Sequence, residues 1–155
     1  MPDSNLLNNL KAILAQDTDR TVKAAMITET IRDSGPYRWV GIYDVDSLHG
    51  IVSNIAWCGP AAPAYPVFSI TKGLTSRAIS GKETINVGDV ASDPNYLTAL
   101  DTTRSEIIVP VLGATRDRVI GTIDVESERV NAFDSDAQAL LEECARLLEN
   151  FWIRD

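Results

Sequence analysis

Ile107-Ile108-Val109-Pro110-Val111-Leu112, the connector 113–118, and then Val119-Ile120-Gly121-Thr122-Ile123-Asp124-Val125 decide the fold. Two β-branched runs separated by a short turn-rich segment read as a β-hairpin. Downstream, Ala137, Leu140, Leu141, Cys144, Leu147, Leu148 and Phe151 recur at helical spacing. Glu142, Glu143, Arg146 and Glu149 fall largely on the other side, which predicts an amphipathic helix capped by Asp134 and stapled by Phe133. Upstream, residues 37–45 alternate apolar and polar, residues 46–50 form a turn, and residues 51–57 run apolar again, a second hairpin.

The remaining segments complete the order. Leu6, Leu7, Leu10, Ile13 and Leu14 share helical spacing, as do Val22, Ala25, Met26, Glu29 and Ile31 after a polar break at 16–19. Asp17 or Thr18 is the expected cap of the second helix, and Ser34-Gly35-Pro36 its stop. Residues 59–66 hold one Gly and three Pro and read as a loop rather than an internal strand. A helix over 74–79, a strand over 83–87 and a long loop with a helical turn over 93–103 follow. The order α-α-β-β-α-β-β-β-α is α+β: a mainly antiparallel sheet with helices packed on it. No linker or repeat interrupts residues 1–155, which read as one domain: helices over 1–35, sheet and loops over 36–129, and a C-terminal helix over 133–153.

Composition narrows the function classes. Hydrophobic residues at 45% and charged residues at 23% are ordinary for a globular chain and argue against disorder. A net charge of -8 opposes a nucleic-acid backbone. No apolar run reaches the ~18 residues of a membrane span and the first residues lack a signal-peptide pattern, so a cytoplasmic protein is expected. Cys58 and Cys144, with the single His49, do not supply the four donors of a Cys/His zinc site. Both cysteines are expected as reduced thiols, His49 as a solvated turn residue, and no metal or cofactor is expected.

Three segments taken in order resemble the C-terminal half of GAF domains: Arg104-Ser105-Glu106-Ile107-Ile108-Val109-Pro110-Val111, then Val119-Ile120-Gly121-Thr122-Ile123-Asp124-Val125-Glu126-Ser127, then Ala132-Phe133-Asp134-Ser135-Asp136. The resemblance covers 107–151 closely and 37–88 more loosely. It implies a central antiparallel sheet with the N- and C-terminal helices on one face and a loop-covered pocket on the other. Pro110 fits a strand edge, and Gly121 is expected to allow close packing between strands.

Within that family the chain is similar to stand-alone proteins that reduce free methionine-R-sulfoxide, through Tyr37-Arg38-Trp39-Val40-Gly41-Ile42-Tyr43, Gly59-Pro60 and the carboxylates of Glu106, Asp124 and Glu126. Their chemistry uses cysteines in the loops over the pocket, one attacking as a thiolate and another resolving a disulfide. The matching positions here carry non-thiol residues: the 61–64 stretch, Thr75, and Ala99 or Leu100. Cys58 lies several residues from the first of these and Cys144 on the apolar face of the last helix.

Glu106, Asp124 and Glu126 read either as pocket carboxylates that bind an ammonium or other donor, or as edge and solvent-facing residues. Asp124 and Glu126 share a sheet face, and Asp124 interrupts an apolar strand. Trp39, Tyr43 and Trp57 read either as an aromatic wall or as core, with Trp39 and Tyr43 on one face by parity. The expected ligand-binding set is Trp39, Tyr43, Tyr65, Glu106, Asp124 and Glu126. Three functions remain open. The first is a sensory domain that binds a small polar, amine-bearing metabolite and signals through a partner or a homodimer. The second is a methionine sulfoxide reductase-like enzyme with Cys58 as a displaced nucleophile. The third is a dimerisation module built on Leu6, Leu10, Phe151 and Trp152 with a vestigial pocket.

Overall fold

The decisive hairpin forms as β5 (Ser105–Leu112) and β6 (Val119–Ser127) in a computed structural model that describes residues 2–94, 96 and 102–153. Its connector closes with the Gly113 N–H donating to the Arg118 carbonyl at 3.0 Å, and Arg116 takes the left-handed conformation at φ 59°. β1 (Trp39–Asp46) pairs antiparallel with β6 on one side and with β2 (Ile51–Cys58) on the other. Two short strands, β3 (Val67–Ser69) and β4 (Ile85–Val87), finish a six-stranded sheet in the order β3-β2-β1-β6-β5-β4.

Side-chain alternation along the three central strands divides the molecule. Ile107, Val109, Val111, Ile123, Val125, Val40 and Ile42 join one core with Leu6, Leu10, Ile27, Ile31, Leu141 and Leu148 from the helices. Those helices are α1 (Pro2–Leu14), α2 (Arg20–Asp33), α4 (Ser135–Leu147) and the single turn α5 (Glu149–Trp152). Each such aliphatic side chain taken from water contributes about 1.5–3 kcal/mol, so this layer holds the fold together. The opposite face is covered by α3 (Gly73–Gly81), β3 and the connecting loops.

The structure differs from the sequence reading at defined places. β3 was not expected: its three residues are too short to show a period, and they pair at the edge with residues 51–53. The second helix starts after Asp19 rather than Asp17 or Thr18, with no side-chain cap bond. The C-terminal helix keeps its Asp134 cap, which accepts from the Ala137 N–H at 2.8 Å, but it bends at Leu148, where φ is -90° and ψ 3°. The expected loop over 93–103 lies partly outside the described residues.

Gly121 makes room for an indole rather than for a neighbouring strand. A Cβ there would lie 2.0 Å from Trp152 Nε1 and 2.4 Å from its Cδ1. The bend at Leu148 brings Trp152 across this bare patch of sheet, where its Nε1 donates to the Tyr43 carbonyl at 2.9 Å. The ring has no room to retreat, because Trp152 and Phe151 are both buried and meet edge-to-face at 5.2 Å. Overpacking of this kind costs about 1–3 kcal/mol. Gly121→Ala is therefore expected to lower the urea midpoint by an amount equal to about 2 kcal/mol at unchanged m-value, whereas an unaltered midpoint would show that the indole can move aside.

Candidate functional site

The strands that build the hydrophobic core on one face carry an acidic set on the other. β5 begins at Ser105 and β6 continues to Ser127, two residues beyond the apolar runs at their adjoining ends, and this brings Glu106 and Glu126 into the sheet. The register sets Glu106 directly opposite Glu126, Glu126 opposite Trp39, and Asp124 opposite both Ile108 and Gly41. Residues paired across a ladder point to the same face, so Glu106, Asp124 and Glu126 form one cluster. Their exposures are 3%, 5% and 1%, which excludes the solvent-facing alternative.

Burial dominates the electrostatics. The Glu106 carboxyl is pushed well above the ordinary range by desolvation, then by the negative charges of Glu126 and Asp124, and by a hydrogen bond with Glu126. Asp124 is raised to about 8, first by burial and further by Glu126, with the neighbouring Thr122 hydroxyl opposing the shift. The Tyr43 phenol is also raised, by burial and then by Asp124, Glu106 and Glu126. Thr103 Oγ1 donates to Glu126 Oε1. Asp124 Oδ1 and Thr122 Oγ1 are buried without a hydrogen-bond partner among the described residues. A buried polar atom left in this state costs about 1–3 kcal/mol, so the cluster is a place where a donor would be held.

A cavity of about 20 Å³ lies over this floor, lined by Tyr43, Tyr65, Phe68, Leu74, Thr75, Glu106, Ile108 and Asp124. That volume suits roughly one water. Tyr43 meets Phe68 edge-on at 5.9 Å, and Tyr65 is 49% exposed at the outer rim. Leu74 and Thr75 belong to the first turn of α3, whose N-cap Lys72 makes no side-chain cap bond.

Of the expected set, Tyr43, Tyr65, Glu106 and Asp124 line the cavity together, while Glu126 stands beside them through Glu106. Trp39 is fully buried but does not line it. Its Nε1 donates to the Ala61 carbonyl at 3.0 Å, and the absence of side chains at Gly41 and Gly59 gives the ring its space. Trp39 thus holds the proline-rich loop onto the sheet. Phe68, Leu74, Ile108 and Thr103 were not anticipated as site residues. Phe68 belongs to the unexpected β3, and nothing in the local pattern marks Thr103. Thr75, which in sequence stands only as a position without a thiol, also lines the cavity.

The cysteines stand elsewhere. Cys58 is half-buried and pairs with Val40, a residue of the helix-side core, so its strand position faces away from the cavity. Cys144 is buried under α4, where desolvation pushes its thiol up to about 12. The position Ala99 or Leu100 lies outside the described residues. His49 is exposed in the β1–β2 turn, with Nδ1 2.7 Å from Asp46. No described helix is long and apolar enough to cross a membrane.

Comparison with known proteins places this geometry. The chain is 26% identical over 151 residues to GAF domain-containing protein A of Dictyostelium discoideum, covering 94% of this chain and 89% of that protein. It is 30% identical over 112 residues to the free methionine-R-sulfoxide reductase of Saccharomyces cerevisiae, covering 71% of this chain and 60% of that protein. The crystal structure of free methionine-R-sulfoxide reductase from Neisseria meningitidis in complex with its substrate superposes with a TM-score of 0.86 at 27% identity, over 97% of this chain and 87% of that one. The GAF domain model matches residues 19–151, and with the six-stranded antiparallel sheet, the terminal helices on one face and the covered acidic set on the other the chain belongs to the GAF domain family.

Proposed function

We propose that this chain is a cytoplasmic GAF sensory domain that holds a small, polar, amine-bearing metabolite over Glu106 and Asp124 and signals through a partner or a second copy of itself. The observation that carries the reading is Asp124 Oδ1, buried without a hydrogen-bond partner among the described residues on the floor of a cavity beside Glu106. An ammonium group would favour the ionised carboxylates that burial disfavours and make charge-assisted hydrogen bonds, each roughly twice as strong as neutral ones. Tyr43 and Tyr65 line the same cavity and supply aromatic rings within reach of such a cation. The uncapped first turn of α3 offers backbone N–H groups to an acceptor at the other end of the molecule. A cavity of about 20 Å³ has to enlarge to admit such a molecule, and Tyr65 stands at its exposed rim, which gives binding a conformational consequence. Leu6, Leu10, Phe151 and Trp152 are buried within the single chain, so a signalling contact would use the outer faces of the helices instead.

A second reading has one favourable observation, the likeness to free methionine-R-sulfoxide reductases. It needs a thiol at the cavity, and Cys58 lies on the other face of the sheet. Reduction of free methionine-R-sulfoxide by the native chain with a dithiol reductant, abolished in Cys58→Ser, would favour this reading over the binding module. The binding reading predicts no turnover above the reductant alone.

Two further measurements test the binding module. A thermal-shift screen against amines, amino acids, methionine sulfoxide, cyclic nucleotides and organic acids should raise the melting temperature with amine-bearing compounds, because a ligand at a hundred times its Kd adds about 2.7 kcal/mol to the folded state. The shift should vanish in Asp124→Ala; a shift that persists there would move the site elsewhere, and silence across the panel would contradict the reading. The second measurement is stability against pH. A carboxyl raised to about 8 keeps its proton in the folded chain at pH values where the unfolded chain has lost it. Stability from this group is therefore full below about pH 4 and is lost as the pH rises toward about 8. Asp124→Asn should gain stability over the native chain between pH 5 and pH 8 by about 1–3 kcal/mol, read from urea unfolding. A constant difference across that interval would show that Asp124 ionises normally.

A further inference from the structure

Tyr43 belongs to both faces of the sheet. Its ring lines the cavity, and its carbonyl oxygen accepts the Trp152 indole N–H at 2.9 Å from the helix side. This happens where β1 and β2 lose regular register: Ile42 pairs with Ala56 and Tyr43 with Asn54, so Ile55 is an extra residue. Such a bulge interrupts the ladder and leaves the local backbone less firmly held than in a regular pair. Asn54 mends part of it, its Nδ2 donating to the Ile42 carbonyl at 3.3 Å and the Ala56 carbonyl at 3.0 Å. The Asn54 N–H donates at 2.7 Å to the Pro66 carbonyl, at the end of the loop that carries Tyr65 to the cavity rim.

The neighbouring residue of β1 holds the same helical turn. Asp44, which pairs with Gly121 in the sheet, accepts from Arg20 Nη2 at 2.9 Å. The Arg20 guanidinium lies 4.7 Å from the centre of the Phe151 ring. α5 is thus fastened to β1 at two consecutive residues, one of them a cavity residue.

We propose that Trp152 is a positioning residue for the cavity, acting through Tyr43 from the opposite face of the sheet, and that this contact carries a change in the cavity to the C-terminal helical turn. A group entering beside the Tyr43 ring displaces a residue whose peptide sits at a bulge, and the indole bonded to that peptide follows. Coupling free energy is reciprocal, so loosening Trp152 alters the cavity in turn. The coupling stands whatever molecule occupies the site, and a silent ligand screen leaves it untouched.

The test uses the full chain labelled with ¹⁵N and follows hydrogen exchange of the Trp152 indole N–H by NMR. The cavity is perturbed by Tyr43→Phe, which removes only the phenol oxygen, and by Glu106→Gln, which keeps the shape and removes the charge. The expected result in at least one variant is a change in Trp152 indole exchange of roughly five- to tenfold, the lower range of measured site-to-site couplings. The Ile27 amide in the helix-side core should stay protected, which separates local coupling from global loosening. An unchanged Trp152 signal in both variants, or a parallel change at Ile27, overturns the proposal. In the reverse direction, Trp152→Phe keeps an aromatic ring and loses the donor. A displaced Asp124 carboxyl titration in that variant supports the positioning role, and an identical titration overturns it. Should Trp152→Phe fail to fold, the two cavity variants decide alone.

Discussion

A strand that is apolar on one side has to show its other side to something, and in β5, β6 and β1 this constraint governs the whole molecule. Ile107, Val109, Val111, Ile123 and Val125 close against the helices only in one register, and that register turns Glu106, Asp124 and Glu126 to the opposite face. A slip of β6 by one residue would drive Asp124 and Glu126 into the aliphatic core, and a slip of β5 would do the same to Glu106. The core and the acidic floor are therefore set together by one choice of register.

The two faces contribute oppositely to stability. The helix side supplies the favourable burial, while the pocket side carries carboxyls directly opposite each other, a raised Asp124 and a carboxyl oxygen without a hydrogen-bond partner among the described residues. A fold with an ample core tolerates such a site, and functional sites are where local rules are broken. The cavity has room for roughly one water, and this desolvation is what raises the carboxyls on its floor. Trp39 secures the loop above it, and Trp152 secures Tyr43 below it. Both indoles use space that glycine leaves, at Gly41 and Gly59 for the first and Gly121 for the second.

The sheet, its helix-covered face and the Asp134 cap were legible because long alternating and helical periods report them directly. Asp124 was legible because a carboxylate inside an apolar strand contradicts its neighbours. Glu106 and Glu126 lie at strand ends, where pattern fades, and their direct opposition emerges only from register. β3 was missed because three residues carry no period, and with it Phe68 was missed as a cavity wall. Trp39 shares parity with Tyr43 and was grouped with it; parity fixes a face, not a position along it, and the Ala61 carbonyl claims the indole. The bend at Leu148 has no local signal, since it serves a contact with Tyr43 that lies more than a hundred residues earlier in the chain.

All of this rests on Asp124 and Glu106 being desolvated members of one cluster. The most direct measurement is a ¹³C NMR titration of the side-chain carboxyls in the ligand-free protein from pH 3 to pH 10. The account predicts that Asp124 titrates near pH 8 and that Glu106 lies well above the ordinary carboxylate range, with each resonance sensing ionisation in the cluster. Independent titration of both near pH 4 would mean that water reaches the floor of the cavity, and it would contradict the account.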